Sequence, residues 1–238
     1  HTTHRLAVTT ALPVSVAPRT GESIESWLEH LADANGLTTA QLLTTVRRGR
    51  ASTRYLTLAP SPETVARLAQ LGRVDEQAVY AATLAAFDGT ALDLTGLNPH
   101  DRHSYRRVAA RGWAPAHGTQ ICPSCLAEHG AWQAAWRLLI VTTCTRHESL
   151  LVPRCPSCRR PFRDQRHSHL RRVGAATVCG NPLGAGPTQQ CQHDPHHHPN
   201  EARQRGSPGP AEPSRRRPHR TDDHRPRTGR QACGIPER

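Results

Sequence analysis

Apolar residues in the first third of the chain recur with the period of an α-helix. In residues 21–36 they lie three and four positions apart and share one helical face: Ile24, Trp27, Leu28 and Leu31. Asn35-Gly36 is a typical helix end. A shorter second helix is predicted to begin at Thr38 or Thr39. Its apolar residues are Leu42, Leu43 and Val46.

A further pair of helices is predicted in residues 61–85. Ser61-Pro62 begins the first, because serine caps a helix and proline suits its first position, and Gly72 ends it. Asp75 caps the second, which is expected to reach Ala85. This outline is typical of a DNA-binding helix-turn-helix and equally of a hairpin that only packs. The second helix contains no Arg or Lys, which argues against strong readout of a base sequence.

Two pairs of metal-ligand residues follow in the second half of the chain. Two residues separate Cys122 from Cys125, and eighteen residues later Cys144 and His147 repeat that spacing. Such pairs form the two knuckles of a tetrahedral zinc site, and four protein ligands leave no position open for water. The pattern therefore predicts a structural zinc ion. The alternatives are chance clustering and a redox pair, but the Cys144–His147 pair does not fit a redox pair.

A second cysteine group begins with a repeat of the first. Cys155-Pro-Ser-Cys158 carries the same four letters as residues 122–125. Cys179 and Cys191 are predicted to complete a second zinc site. His193 competes with Cys191 for the last position, and a partly occupied site with Cys191 free is the alternative.

The composition leaves little material for an apolar core. Hydrophobic residues form 36% of the chain and aromatic residues 4%, so zinc ions are expected to provide stability that a small core cannot. Between the knuckles, Trp132, Trp136 and Leu139 are predicted to share one face of a helix and to pack against the zinc sites.

Positive charge is concentrated in the cysteine-rich half. The net charge is +12, although residues 21–100 contain six arginines and nine acidic residues. Residues 159–172 contain six arginines and one aspartate. These arginines are the predicted contacts to nucleic-acid phosphates, with plain solvation as the alternative. They are Arg159, Arg160, Arg163, Arg166, Arg171 and Arg172.

The two ends of the chain are predicted to lack regular structure. Residues 1–20 are expected to be an extended lead-in, and residues 195–238, rich in Pro, Gly, Arg and His, a disordered tail. Cys233 is alone in that tail and is assigned no role. The start at His1 and the absence of Met are expected of a fragment, a processed form or an alternative start.

The chain shows no sign of a membrane span, a secretory signal or a catalytic motif. No apolar stretch approaches about 20 residues, and no phosphate loop, H-E-x-x-H or G-x-S-x-G is present. We therefore expect a soluble cytoplasmic protein without enzymatic activity. In that compartment thiols stay reduced, which favours metal ligation over disulfides.

Two runs of residues resemble the TniQ family. Leu12-Pro13, Gly21-Glu-Ser-Ile-Glu-Ser-Trp-Leu28 and Asn35-Gly36 are similar to its opening. An ordered series of tryptophan and ligand positions is similar to its zinc-finger half, and the resemblance extends over roughly residues 12–193. The series is Trp113, Cys122-Pro-Ser-Cys-Leu126, Trp132, Trp136, Cys144-x2-His147, Leu150-Leu151 and Cys155-Pro-Ser-Cys158.

The resemblance implies a role in DNA transposition. TniQ-type proteins help to select the insertion target, and they link target DNA or an RNA-guided targeting complex to an AAA+ ATPase that recruits the transposase. The implied fold is mainly α with small zinc-ribbon β elements. A helical domain with helix-turn-helix character, residues 21–112, would precede tandem zinc fingers in residues 113–194.

The resemblance also assigns ligands for the two zinc ions. By motif match, Cys122, Cys125, Cys144 and His147 would hold the first ion. Cys155, Cys158, Cys179 and Cys191 would hold the second. Chelation is then expected to unfold residues 113–194 while the helical part partly survives. A zinc-finger transcription regulator, which would bind an operator and need no ATPase, is the alternative function.

Overall fold

The computed structural model describes residues 11–48, 52–111, 118–164, 176–184, 186 and 189–197. Within these ranges the protein is mainly helical and carries one two-stranded sheet, so the predicted fold class is confirmed at this level. Trp113, Arg166, Arg171, Arg172, Cys233, residues 1–10 and the tail beyond residue 197 lie outside these ranges.

The helices and strands follow one another along the described ranges in this order. The helices are α1 (Ile24–Ala34), α2 (Thr39–Arg48), α3 (Pro62–Gly72), α4 (Glu76–Ala81), α5 (Tyr105–Ala109) and α6 (Pro123–His129). The strands are β1 (Thr143–Cys144) and β2 (Ser149–Leu150). Three single 3₁₀ turns lie at Leu84–Phe87, Ala134–Arg137 and Pro195–His197.

Helix α1 forms where the apolar period predicts it. The Ser23 hydroxyl accepts a hydrogen bond from the Ser26 amide, 3.4 Å away, and Asn35 closes the other end. The predicted apolar face is completely buried, packs on α2 and belongs to an apolar cluster that also includes residues of α3 and α4. A side chain at Gly72 would place its Cβ 3.0 Å from the Trp27 ring, so the glycine permits the close approach of α3 to α1.

The structure differs from two of the helices that periodicity predicts, and the first difference is one of length. Helix α4 ends at Ala81 instead of Ala85, because the Ala82 carbonyl accepts from the Ile24 amide and the Leu84 amide donates to Thr57. These bonds, at 2.8 Å and 2.9 Å, occupy a backbone carbonyl and a backbone amide that a continuing α-helix would need for its own hydrogen bonds.

The helix predicted through Trp132 and Leu139 is also wrong. A single 3₁₀ turn forms there, Leu139 is 49% exposed, and only the two tryptophans of the predicted face are buried. The Trp132 carbonyl accepts from the Ser23 amide at 2.7 Å, and the Ala134 amide donates to the Gly21 carbonyl at 2.9 Å. The segment therefore pairs with the chain that leads into α1 instead of coiling on itself.

Buried ion pairs join α1 to the cysteine-rich part of the chain. Glu25 Oε1 lies 2.7 Å from Arg137 Nη2, and Glu29 Oε2 lies 2.9 Å from Arg163 Nη2. The Arg163 guanidinium also stacks on the Trp132 ring, 4.0 Å from its centroid. Both carboxylates and Arg163 are almost fully buried. The helical and cysteine-rich parts have separate apolar clusters but belong to one compact unit, and these ion pairs connect them.

Candidate metal centres

The first ligand cluster is assembled by one helix start and one hairpin. Pro123 occupies the first position of α6, so Cys122 and Cys125 lie one turn apart on the same side of the helix. Cys144 belongs to β1, which pairs with β2 in antiparallel register, Cys144 opposite Ser149. His147 lies in the turn between the two strands, where it faces the α6 cysteines.

The ligand atoms of this cluster have the spacing of a tetrahedral zinc site. The His147 Nδ1 atom lies 3.5 Å, 3.3 Å and 3.5 Å from the sulfurs of Cys122, Cys125 and Cys144. The Cys125 and Cys144 sulfurs are 3.5 Å apart, and all four ligand atoms lie within 4.8 Å of one another. Standard Zn–S and Zn–N bonds at tetrahedral angles require separations of about 3.5 Å for S···N and about 3.8 Å for S···S.

The second cluster brings together the four predicted cysteines. The Cys155 and Cys191 sulfurs are 3.7 Å apart, and those of Cys158 and Cys179 are 3.8 Å apart. Cys191 therefore takes the last position of the cluster. The competing residue, His193, instead offers its backbone carbonyl to the Cys179 amide at 3.0 Å.

Burial opposes ionisation of the thiols in both clusters. Burial raises the pKa of Cys125 and the pKa of Cys179. It also raises the pKa of Cys155, to about 11. Burial also opposes ionisation of Cys144, but hydrogen bonds from the His147 backbone and side chain outweigh it and lower the Cys144 pKa to about 7. Several thiolates cannot coexist at this distance without a compensating positive ion. The donor set and its spacing thus fit zinc.

One carboxylate supports the first cluster from outside. Glu128 Oε1 lies 2.8 Å from His147 Nε2, the ring nitrogen that faces away from the three thiols. A carboxylate in this position fixes the ring orientation and the tautomer of a metal-bound histidine. Sequence reasoning missed Glu128. The available signal was its place on α6, three residues after Cys125 and hence on a neighbouring face of the helix.

Replacing Glu128 by glutamine is expected to weaken zinc binding about 10- to 100-fold, because the amide holds His147 less firmly and makes it less basic. Competition between the protein and a chromogenic zinc chelator measures this change. The control is Glu76→Gln, a loss of the same charge at an exposed position of α4. Equal zinc affinity in both variants would show that Glu128 is a surface carboxylate without a role in binding.

The predicted phosphate contacts do not all reach solvent. Arg159 is exposed, whereas Arg160 is half-buried and donates to the Pro182 carbonyl. Arg163 is 4% exposed and paired with Glu29, which corrects the expectation that it contacts phosphate. A buried guanidinium engaged by both a carboxylate and an aromatic ring cannot also bind DNA.

Comparison with known families places these features in context. A family model described as TniQ matches residues 13–151, more than half of the chain. The chain belongs to the TniQ family. The matched segment of this TniQ protein contains all six described α-helices and the complete first ligand cluster, while the second cluster begins just after it. A search of curated proteins found no match.

Family membership supports a role of this TniQ protein in transposition. Among the ranges that the structure describes, no helix has the length and apolar character needed to traverse a bilayer.

Proposed function

We propose that this TniQ protein is a non-catalytic adaptor in DNA transposition. It links target DNA, or an RNA-guided targeting complex, to an AAA+ ATPase, and each of its two ligand clusters holds a structural zinc ion. The observation that carries the proposal is the family match, which covers the helices together with the first ligand cluster.

The closed ligand sets support a structural role for the metal. Each cluster offers four protein ligand atoms to one ion, which completes tetrahedral coordination without a position for substrate or water. When bound, zinc would provide rigidity that the limited apolar core does not. Cys122, Cys125, Cys144 and His147 would hold one ion. Cys155, Cys158, Cys179 and Cys191 would hold the other.

The buried ion pairs support the adaptor role. Through Glu25–Arg137 and Glu29–Arg163, the helical part and the metal-binding part are joined at fixed positions instead of by a loose linker. An adaptor needs such a joint, because it must hold a partner surface and a DNA surface in a constant relation. The proposed phosphate contacts in the cysteine-rich part are Arg159, Arg160, Arg166, Arg171 and Arg172.

The helix-turn-helix remains a prediction. Helices α3 and α4 are joined by a three-residue turn, as in that motif, but α4 has only six residues. Its exposed side chains include Glu76, Gln77 and Tyr80, with no cation to approach phosphates. This face therefore does not favour the alternative of a sequence-specific transcription regulator.

The adaptor proposal predicts a direct complex with an AAA+ transposition ATPase. Size-exclusion chromatography of the zinc-loaded protein with that ATPase, with ATP and duplex DNA, should yield co-elution of both proteins. Arg159→Gln combined with Arg160→Gln should reduce DNA recovery and leave the protein complex intact. If folded, zinc-loaded protein never co-elutes with the ATPase, and instead selects a defined operator alone, the regulator is the correct function.

A further inference from the structure

A second arginine-rich surface lies on the helical part, far along the chain from residues 159–172. It is formed by α5, the loop before it and the residues just after it, together with one residue from the loop between α2 and α3. We call it the α5 basic patch. It consists of Arg54, Arg102, Arg106, Arg107 and Arg111.

The backbone beneath the α5 basic patch is firmly held. Ser104 is completely buried, and its hydroxyl bonds both the amide and the carbonyl of Asn98, at 3.0 Å and 2.9 Å. The Tyr55 hydroxyl donates to the Asp101 carbonyl at 3.0 Å. Arg54 reaches the same loop, donating to the His100 carbonyl at 2.7 Å. The arginines therefore extend from a preorganised scaffold.

Most of the positive charge on this surface is available to a ligand. All five arginines are exposed. Within the described residues, the carboxylates that pair with the patch are Asp101, 3.2 Å from Arg107, and Asp93, 3.3 Å from Arg111. Both pairs are solvent-exposed, so each contributes little and can be exchanged for a phosphate. The patch carries a net charge of three with both pairs counted.

The surroundings of the α5 basic patch distinguish among anionic ligands. None of the exposed large hydrophobic residues of the described chain belongs to α5 or to the loop before it, so the patch itself offers no apolar anchor of the kind that a protein interface needs. Recognition of single-stranded nucleic acid normally uses exposed aromatic rings for stacking, yet Tyr55 and Tyr105 are half-buried and pack on each other. Clustered guanidinium groups without either feature suit the phosphates of a duplex.

We propose that the α5 basic patch binds the phosphate backbone of duplex DNA. This inference rests on the proposed function, in which DNA is a partner, and adds a contact surface on the helical part. DNA would then touch both parts of the protein, and the buried ion pairs between α1 and the cysteine-rich part would fix the path between the two contacts.

The test is the salt dependence of binding to a fluorescein-labelled, random-sequence 20-base-pair duplex, followed by anisotropy. Arg102→Gln combined with Arg106→Gln removes two of the three patch arginines that pair with no described carboxylate, and it spares Arg54, which donates to the His100 carbonyl. We expect about tenfold weaker binding. The slope of log affinity against log salt concentration should also decrease in magnitude by about 1.8, because each lost phosphate contact lowers the slope by about 0.9. Thermal unfolding and zinc content verify that the variant is folded.

Two matched variants separate the possible outcomes. Arg47→Gln combined with Arg48→Gln removes the same charge from the exposed end of α2 and should change the slope much less. An equal loss in both variants would mean that only net charge matters, which overturns the inference. If Arg159→Gln with Arg160→Gln weakens binding but the patch variant binds like the parent, the α5 contact is refuted and the proposed function stands.

Discussion

Removal of zinc is expected to unfold helix α1 together with the cysteine-rich part. Structural zinc sites contribute roughly 10–16 kcal/mol of apparent binding free energy, which matches or exceeds the roughly 5–15 kcal/mol that stabilises a typical domain. The sequence suggested that the helical part would partly survive. The structure changes this expectation. Glu25 and Glu29 belong to α1, and unfolding around the metal sites would break their ion pairs with Arg137 and Arg163.

Hydrogen exchange of the α1 amides, before and after treatment with a strong zinc chelator, measures this coupling. Loss of protection in α1 should accompany the change in tryptophan fluorescence from Trp132 and Trp136, which lie in the metal-site core. Re-addition of zinc should restore both signals. Protection of α1 that persists after complete metal loss would instead show that the two parts fold independently.

Replacement of Arg163 by methionine is expected to destabilise the protein by about 3–5 kcal/mol. Methionine keeps much of the apolar contact with Trp132 but removes the guanidinium that pairs with the buried Glu29 carboxylate. A buried charge without compensation costs far more than the pair itself contributes. For a chain of this length the loss corresponds to a fall in melting temperature of roughly 6–20 °C.

Equilibrium unfolding in denaturant checks the Arg163 prediction and separates the charge from the packing. The matched control is Arg159→Met, an exposed arginine with the same left-handed backbone, φ 60° against 51°. It should change stability by only about 0.5 kcal/mol. Adding Glu29→Met to Arg163→Met should recover most of the loss, because the buried Glu29 charge is then absent as well. A double variant as unstable as the single one would attribute the effect to packing.

Local features of the chain were predictable from sequence because neighbouring residues determine them. The apolar period placed α1, and Ser61-Pro62 placed the start of α3. The spacing of two residues within each C-P-S-C pair is a local constraint on ligand geometry, and both pairs enter the clusters to which they were assigned. The charge pattern, by contrast, showed how many arginines the cysteine-rich half contains but not which of them reach solvent.

The remaining features depend on contacts between residues far apart in the chain. Residues 131–141 have a helical pattern, yet their backbone pairs with the chain before α1. A prediction that considers only neighbouring residues cannot detect this pairing, which competes with helix formation. Glu29 and Arg163 are 134 positions apart, and only packing shows that each cancels the charge of the other. By itself the sequence determined the helix periodicity and the ligand spacing. The tertiary structure decided which polar groups are buried, because burial depends on which distant surfaces meet.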